Sequence, residues 1–208
     1  MMEFDQILKR TESYYSEKVK AHGATARGVD WNSTESQILR FAQLLKVCDT
    51  SAPFSINDYG CGYGALATYL RSTGDVFQYC GFDISAEMIM SAKEINAEQN
   101  QITFVSDHAL LPVADYTVAS GIFNVKQEVG DSEWHSYLLH TLHKLAEQSS
   151  KGFAFNVLTR YSDADRMRPD LYYGDPLALF DYCKQHFSRS VALLHDYPLY
   201  EFTIIVRQ

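Results

Sequence analysis

The 208-residue chain has no basic excess: 18 Lys and Arg stand against 26 Asp and Glu, a formal net charge of −8. That disfavours a phosphate-tracking surface, because such proteins are usually basic, and no nucleic-acid partner is expected. There is no apolar run of about eighteen residues, so no membrane span is expected either. The start, Met1-Met2-Glu3-Phe4-Asp5, lacks the basic and apolar regions of a signal peptide. Cysteine is sparse. Cys48, Cys61, Cys80 and Cys183 show no C-x-x-C spacing, so buried free thiols in a cytoplasmic protein are the expectation. No internal repeat, low-complexity tract or interdomain linker is evident. What is present, 46% hydrophobic and 21% charged residues, matches one globular domain large enough to bury a core.

The most informative stretch is Ile56-Asn57-Asp58-Tyr59-Gly60-Cys61-Gly62-Tyr63-Gly64-Ala65-Leu66. It reads as a strand, a glycine-rich turn and the start of a helix. Glycines at 60, 62 and 64 let the backbone take positive φ and approach a ligand closely, and the helix start offers free N–H groups. Asp58 closes the strand. Nineteen residues after Gly64, a second strand, Phe77 to Phe82, ends in Asp83. A carboxylate there can accept hydrogen bonds from both hydroxyls of a ribose.

Around this segment strands and helices alternate. Strands are placed near 55–59, 77–82, 102–106, 116–122, 152–157, 190–195 and 200–207, and helices near 64–72, 85–98, 132–148 and 176–187. Ser85 is a plausible N-cap. Thr34-x-x-Gln37 resembles a capping box, opening a helix in which Ile38, Phe41, Leu44 and Leu45 share a face. Such alternation means an α/β domain with a doubly wound, mostly parallel sheet. Residues 191–195 and 202–207 are separated only by a short loop around Pro198. No crossover helix fits between them, so they are expected to pair as an antiparallel hairpin.

Two cofactor classes fit the glycines. Gly60, Gly62 and Ala65 also satisfy G-x-G-x-x-A, the pattern of a nicotinamide oxidoreductase. Against it, Asp58 would repel a pyrophosphate at the mouth of the turn. A carboxylate there suits a ligand carrying ammonium or sulfonium charge.

On these residues the chain resembles the class I S-adenosylmethionine-dependent methyltransferases, over about residues 31–208. Their first motif, an acid, one residue and G-x-G-x-G, is matched by Asp58, Gly60, Gly62 and Gly64; the acid closing their second strand is matched by Asp83; and the polar residue after their third strand by Asp107. The resemblance implies a Rossmann-like seven-stranded sheet of order 3-2-1-4-5-7-6 with an antiparallel last strand. It also implies S-adenosyl-L-methionine as cofactor, held by Asp58, Tyr59, Gly60, Cys61, Gly62, Gly64, Asp83, Ile84, Met88, Ser106, Asp107, His108, Gly121 and Ile122. It says little about the acceptor. A cofactor-binding protein of the same fold without turnover is the non-enzymatic alternative.

Methyl transfer from a sulfonium needs alignment and a dry site more than a nucleophile or metal, and no such triad or metal set is evident. A base is needed only if the attacking atom must lose a proton; His135 is the best candidate. His140 and His143, three apart on one helix, read either as a metal pair or as solvent-facing residues. Asn124 is either acceptor-facing or a capped loop residue, and Tyr172 and Tyr173 belong either to the acceptor pocket or to a surface turn. The stretch Ser120 to Lys126 lacks the Asn/Asp-Pro-Pro-aromatic sequence of enzymes that methylate nucleic-acid bases or glutamine amides. With no large insertion in sight, a small-molecule acceptor is favoured. Residues 1–33 are expected to form a helical lid on a core of 34–208. Tyr14, Tyr15 and Trp31 are either packed aromatics or covers for the sulfonium. Oligomeric state is left open.

Overall fold

The apolar runs ending at Tyr59, Phe82 and Val105 each form a strand of one parallel sheet. The computed structural model describes residues 4–25 and 33–208. Its elements run α1 (Asp5–His22), α2 (Thr34–Leu44), β1 (Phe54–Tyr59), α3 (Ala65–Thr73), β2 (Phe77–Phe82), α4 (Ala86–Ile95), β3 (Ile102–Val105), β4 (Ala114–Ala119), α5 (Asp131–Glu147), β5 (Ser149–Leu158), α6 (Pro176–His186), β6 (Ser190–Leu194) and β7 (Glu201–Arg207). The sheet order is β3-β2-β1-β4-β5-β7-β6. β1 to β5 are parallel, and β7 is antiparallel to both its neighbours. The expected order and terminal hairpin are both present. Six residues between β6 and β7 cannot carry a crossover, so the chain must turn straight back.

Three local expectations are corrected. β4 ends at Ala119, not 122, because Gly121 takes φ 75 and turns the chain out of the sheet. α2 is capped by Ser33, whose hydroxyl accepts from Ser36 N at 3.2 Å, so Thr34 and Gln37 do not form a capping box. The buried face of α2 is also rotated: Ile38 is 44% exposed, while Gln37, Arg40, Phe41 and Leu44 are buried. Two polar side chains go inward because each meets a partner there, Tyr63 for Gln37 and Glu201 for Arg40. Ser85 does cap α4, accepting from Met88 N at 3.3 Å.

Two apolar clusters cover the two faces of the sheet. One unites Phe41 and Leu44 of α2, Leu66 and Leu70 of α3, and Ile89 of α4 with Ile56, Tyr79 and Val118. The other unites Trp134, Leu138 and Leu142 of α5 with Phe82, Phe153 and Phe202. Each fully buried side chain of this kind contributes about 1.5–3 kcal/mol. Between β3 and β4 the chain makes only a 3-10 turn, His108–Leu110. α1 packs beside it. Ile7, 2% exposed, joins the second cluster together with Tyr59, Leu111 and Tyr137, and the Phe4 ring lies 5.2 Å from that of His140. At the other end of α1, Ser16 Oγ stands 2.8 Å from Ser85 Oγ, and Lys20 pairs with Glu87 at 2.8 Å. α1 is therefore anchored at both ends.

All four cysteines are free thiols, and Cys61, Cys80 and Cys183 are buried. No described helix is long and apolar enough to cross a membrane. Trp31, and with it most of the junction between α1 and α2, lies outside the described residues.

Candidate active site

β1 and β4 leave the sheet centre in opposite directions, which opens a crevice at their carboxyl ends. A cavity lies there. Gly60 and Cys61 both donate their N–H to Phe82 O, at 2.7 and 2.9 Å, which fastens the turn after β1 to the end of β2. Gly60 has φ 83 and Gly62 φ 53, so neither position suits a side chain. A Cβ on Gly60 would also collide with Ile122.

Asp83 completes this cradle. Its Oδ2 accepts from Gly62 N at 2.8 Å and its Oδ1 from Ser85 N at 2.9 Å. Each oxygen keeps lone-pair capacity for a further donor. Burial pushes the Asp83 carboxyl up to about 6, against the pull of those two N–H groups. Asp58, 2% exposed, accepts from the Tyr79 hydroxyl at 2.7 Å. Burial pushes it up to about 7, the Tyr79 hydrogen bond opposing and the nearby Asp83 charge adding.

The rest of the wall comes from farther away. Tyr59 and Phe82 present their rings to His108, at 5.7 and 5.8 Å between centroids. Burial, then the charge of Lys144, holds the His108 imidazole below its ordinary range. Its Nε2 is buried without a partner, as is Ser120 Oγ, and both residues line the cavity. α1 contributes Leu8, Thr11 and Tyr15; α2 contributes Gln37 and Phe41; α5 contributes Tyr137 and Lys144. The Gln37 side-chain oxygen accepts from Tyr63 OH at 3.0 Å.

Of the residues singled out for the cofactor, Asp58, Tyr59, Gly60, Cys61, Gly62, Asp83, Ile84, Met88, His108, Gly121 and Ile122 line this cavity. Gly64, Ser106 and Asp107 do not. Gly64 caps α3 at φ 80 against the Phe104 ring. Asp107 is exposed and accepts from Ala109 N at 2.9 Å, capping the 3-10 turn, and Ser106 beside it is also exposed. The acceptor and base candidates lie mostly away from the cavity. His135 is outside the wall, its Nδ1 2.7 Å from Tyr172 OH. α5 turns Trp134, Tyr137 and Leu138 inward, which carries the neighbouring His135 round to the side. Asn124 is spent on structure, its Oδ1 accepting from Leu158 N at 3.2 Å. Tyr173 OH accepts from Arg168 N. Tyr14 packs edge-on against Tyr15 at 5.2 Å, and Tyr15 is the one that lines the cavity. His143 meets Tyr182 OH at 2.9 Å, and among the described residues no His, Cys, Asp and Glu group could hold a metal.

Several wall residues carried no signal in the sequence. Tyr137 and Lys144 lie two helical turns apart on α5 and become visible only once that helix is packed. Ser120 was open to recognition, since it precedes Gly121 at the end of β4.

A family model described as "Methyltransferase domain" matches residues 56–148. A Mycobacterium tuberculosis protein, Rv1506c, provisionally named a methyltransferase, is 51% identical over 164 residues, covering 79% of this chain and 99% of the relative. Among solved structures, magnesium protoporphyrin IX methyltransferase from Synechocystis PCC 6803, with bound S-adenosylhomocysteine, superposes with a TM-score of 0.64 at 14% identity, covering 99% of each chain. Human N-acetylserotonin methyltransferase, in complex with S-adenosylmethionine, does so with a TM-score of 0.66 at 18% identity, covering 99% of this chain and 59% of that one. These two likenesses carry the fold alone. The half-identical relative, covered along nearly its whole length, carries more, and with it the chain belongs to the class I S-adenosylmethionine-dependent methyltransferases.

Proposed function

We propose that this chain binds S-adenosylmethionine in the cavity between β1 and β4 and transfers its methyl group to a small molecule by in-line displacement. One observation supports this most: the glycine turn, Asp58 and Asp83 converge on a single cavity. When bound, the cofactor supplies a methyl group already activated by the positive charge on its sulfur. Asp83, its oxygens oriented by Gly62 and Ser85, accepts from the ribose hydroxyls. Asp58 faces the cationic portion. Tyr59, Phe82 and His108 form an aromatic slot of a kind that takes a purine. Tyr15 and Phe41, with Leu8, exclude water from the reacting atoms. Catalysis then rests on alignment and dryness, and no imidazole base faces the transfer. The acceptor contacts fall to Thr11, Tyr15, Gln37 and Tyr63, wall residues given no cofactor contact above.

The absence of a large insertion among the described elements supports a small acceptor here. Calorimetric titration tests the cofactor: S-adenosylhomocysteine binds and NADP does not. Tight NADP with a silent S-adenosylhomocysteine would overturn the reading. Methyl transfer to no small molecule of a broad panel, with the cofactor bound, would favour the non-catalytic alternative.

A further inference from the structure

A buried polar chain runs under the cavity, and methyl transfer as set out above makes no use of it. Glu201, the first residue of β7, is 0% exposed. Its Oε2 accepts from Arg40 Nε at 2.7 Å, and its Oε1 accepts from Asn156 Nδ2 at 3.0 Å. The Oδ1 of Asn156 accepts from Gly121 N at 2.7 Å. Arg40 stands on α2 between Gln37 and Phe41, and Gly121 stands between Ser120 and Ile122. All four of those neighbours line the cavity. Three side chains therefore tie the α2 wall to the turn after β4, by way of β5 and β7.

Stability does not account for this arrangement. Taking two charges out of water costs about as much as their attraction returns, and apolar replacements of similar volume are often neutral or better. A positional role does account for it. Gly121 sits at φ 75, and its carbonyl accepts from Asn124 N at 3.2 Å. Its N–H, on the other side of the residue, is held by the side-chain carbonyl of Asn156. That carbonyl is in turn fixed by Glu201, and Glu201 by Arg40.

We infer that Asn156 and Glu201 are positioning residues that, with Arg40, set the spacing between the α2 wall and the Ser120–Ile122 turn to fit the cofactor. The inference rests on the cavity being the cofactor site. Titration of the unmodified protein with S-adenosylhomocysteine checks that first: silence there sinks the reading of the site and leaves the geometry of the turn to be tested separately.

The test uses the full chain with Asn156→Leu, Glu201→Gln, and the paired apolar replacement Arg40→Met with Glu201→Leu. Each weakens S-adenosylhomocysteine by about tenfold or more, the effect of one lost, well-oriented hydrogen bond. The apolar pair melts at or above the temperature of the unmodified protein, yet its affinity stays low. A merely structural role predicts the opposite, affinity recovering with stability. In nuclear magnetic resonance of the ligand-free protein, the Gly121 amide exchanges slowly and its proton resonance moves in Asn156→Leu. Wild-type affinity in the apolar pair would overturn the inference. So would fast Gly121 exchange in the unmodified protein, which is readable even if every variant fails to fold.

Discussion

Two parts of the cavity wall are built by different means. The part from β1 and β2 comes from short stretches, Asp58 to Gly62 and Asp83 to Met88, and backbone N–H groups fasten it: those of Gly60 and Cys61 to Phe82 O, and those of Gly62 and Ser85 to the Asp83 carboxylate. The remainder comes from α1, α2, α5, the turn after β4 and the 3-10 turn, and side-chain packing places it. The first part is dictated by backbone geometry and admits little substitution. The second depends on how layers stack, so its residues can change while the cofactor cradle stays. A family that keeps one donor and varies the acceptor would be expected to distribute its wall in this way.

The largest expected effect strikes the cradle. Asp83→Ala removes the acceptor of two backbone N–H groups as well as the ribose contact. S-adenosylhomocysteine affinity should fall 30- to 1000-fold, roughly 2–4 kcal/mol, and the melting temperature should fall with it. Unchanged affinity by calorimetry would show that another residue holds the ribose.

Ile7→Ala strikes the packed wall instead. Ile7 is 2% exposed, and truncating a buried Ile costs about 2–4 kcal/mol. Denaturant unfolding would read this directly. A cost near zero would mean that α1 is a loose lid, as first expected, and not an anchored element over the second apolar cluster.

A pH series separates the acids from the rest of the wall. Burial raises Asp58 to about 7 and Asp83 to about 6, above the unfolded carboxylate at about 4. Between about pH 4 and 7 the folded chain thus holds more protons than the unfolded one. The ligand-free stability these groups contribute is fully present below pH 4 and is lost as pH rises through 6 to 7. Affinity for the cationic cofactor runs the other way. It should climb up to about tenfold per unit from pH 5 and level off above 7, because only the ionised Asp58 binds well. Asp58→Asn should flatten that climb. A profile that stays steep in Asp58→Asn would assign the titration elsewhere.

The smallest effect is expected at the rim. The Lys20–Glu87 pair is largely solvated, with side chains 64% and 31% exposed, so Glu87→Gln should barely move the melting temperature. It should still quicken proteolysis just after α1, and S-adenosylhomocysteine should slow that cleavage. Identical cleavage rates with and without ligand would detach α1 from cofactor binding.

The fold and the cofactor side were legible because their signals are local. Gly60 and Gly62 are demanded by positive φ, Asp58 and Asp83 by their places at strand ends, and the hairpin of β6 and β7 by a connection too short for a helix. The acceptor side was not, because nothing in a one-dimensional pattern reports how a helix is rotated. His135 and Tyr137 are two residues apart on α5, yet one turns to Tyr172 and the other to the cavity. Gln37 looked like a capping residue and is a wall residue, since Ser33 had already taken the cap.

By itself, then, the sequence determined the alternation of strands and helices, the antiparallel end and the glycine-and-acid cradle, which follow from backbone sterics and connection lengths; the strand order came only through the family resemblance that those residues carry. Tertiary structure alone decided that α1 spans from α5 to α4, that His135, Asn124 and Tyr172 stay out of the cavity, and that Arg40 and Glu201 meet beneath it. Those outcomes depend on which faces bury one another and on whether a buried polar group finds a partner, and the residues concerned are up to 161 positions apart in the chain.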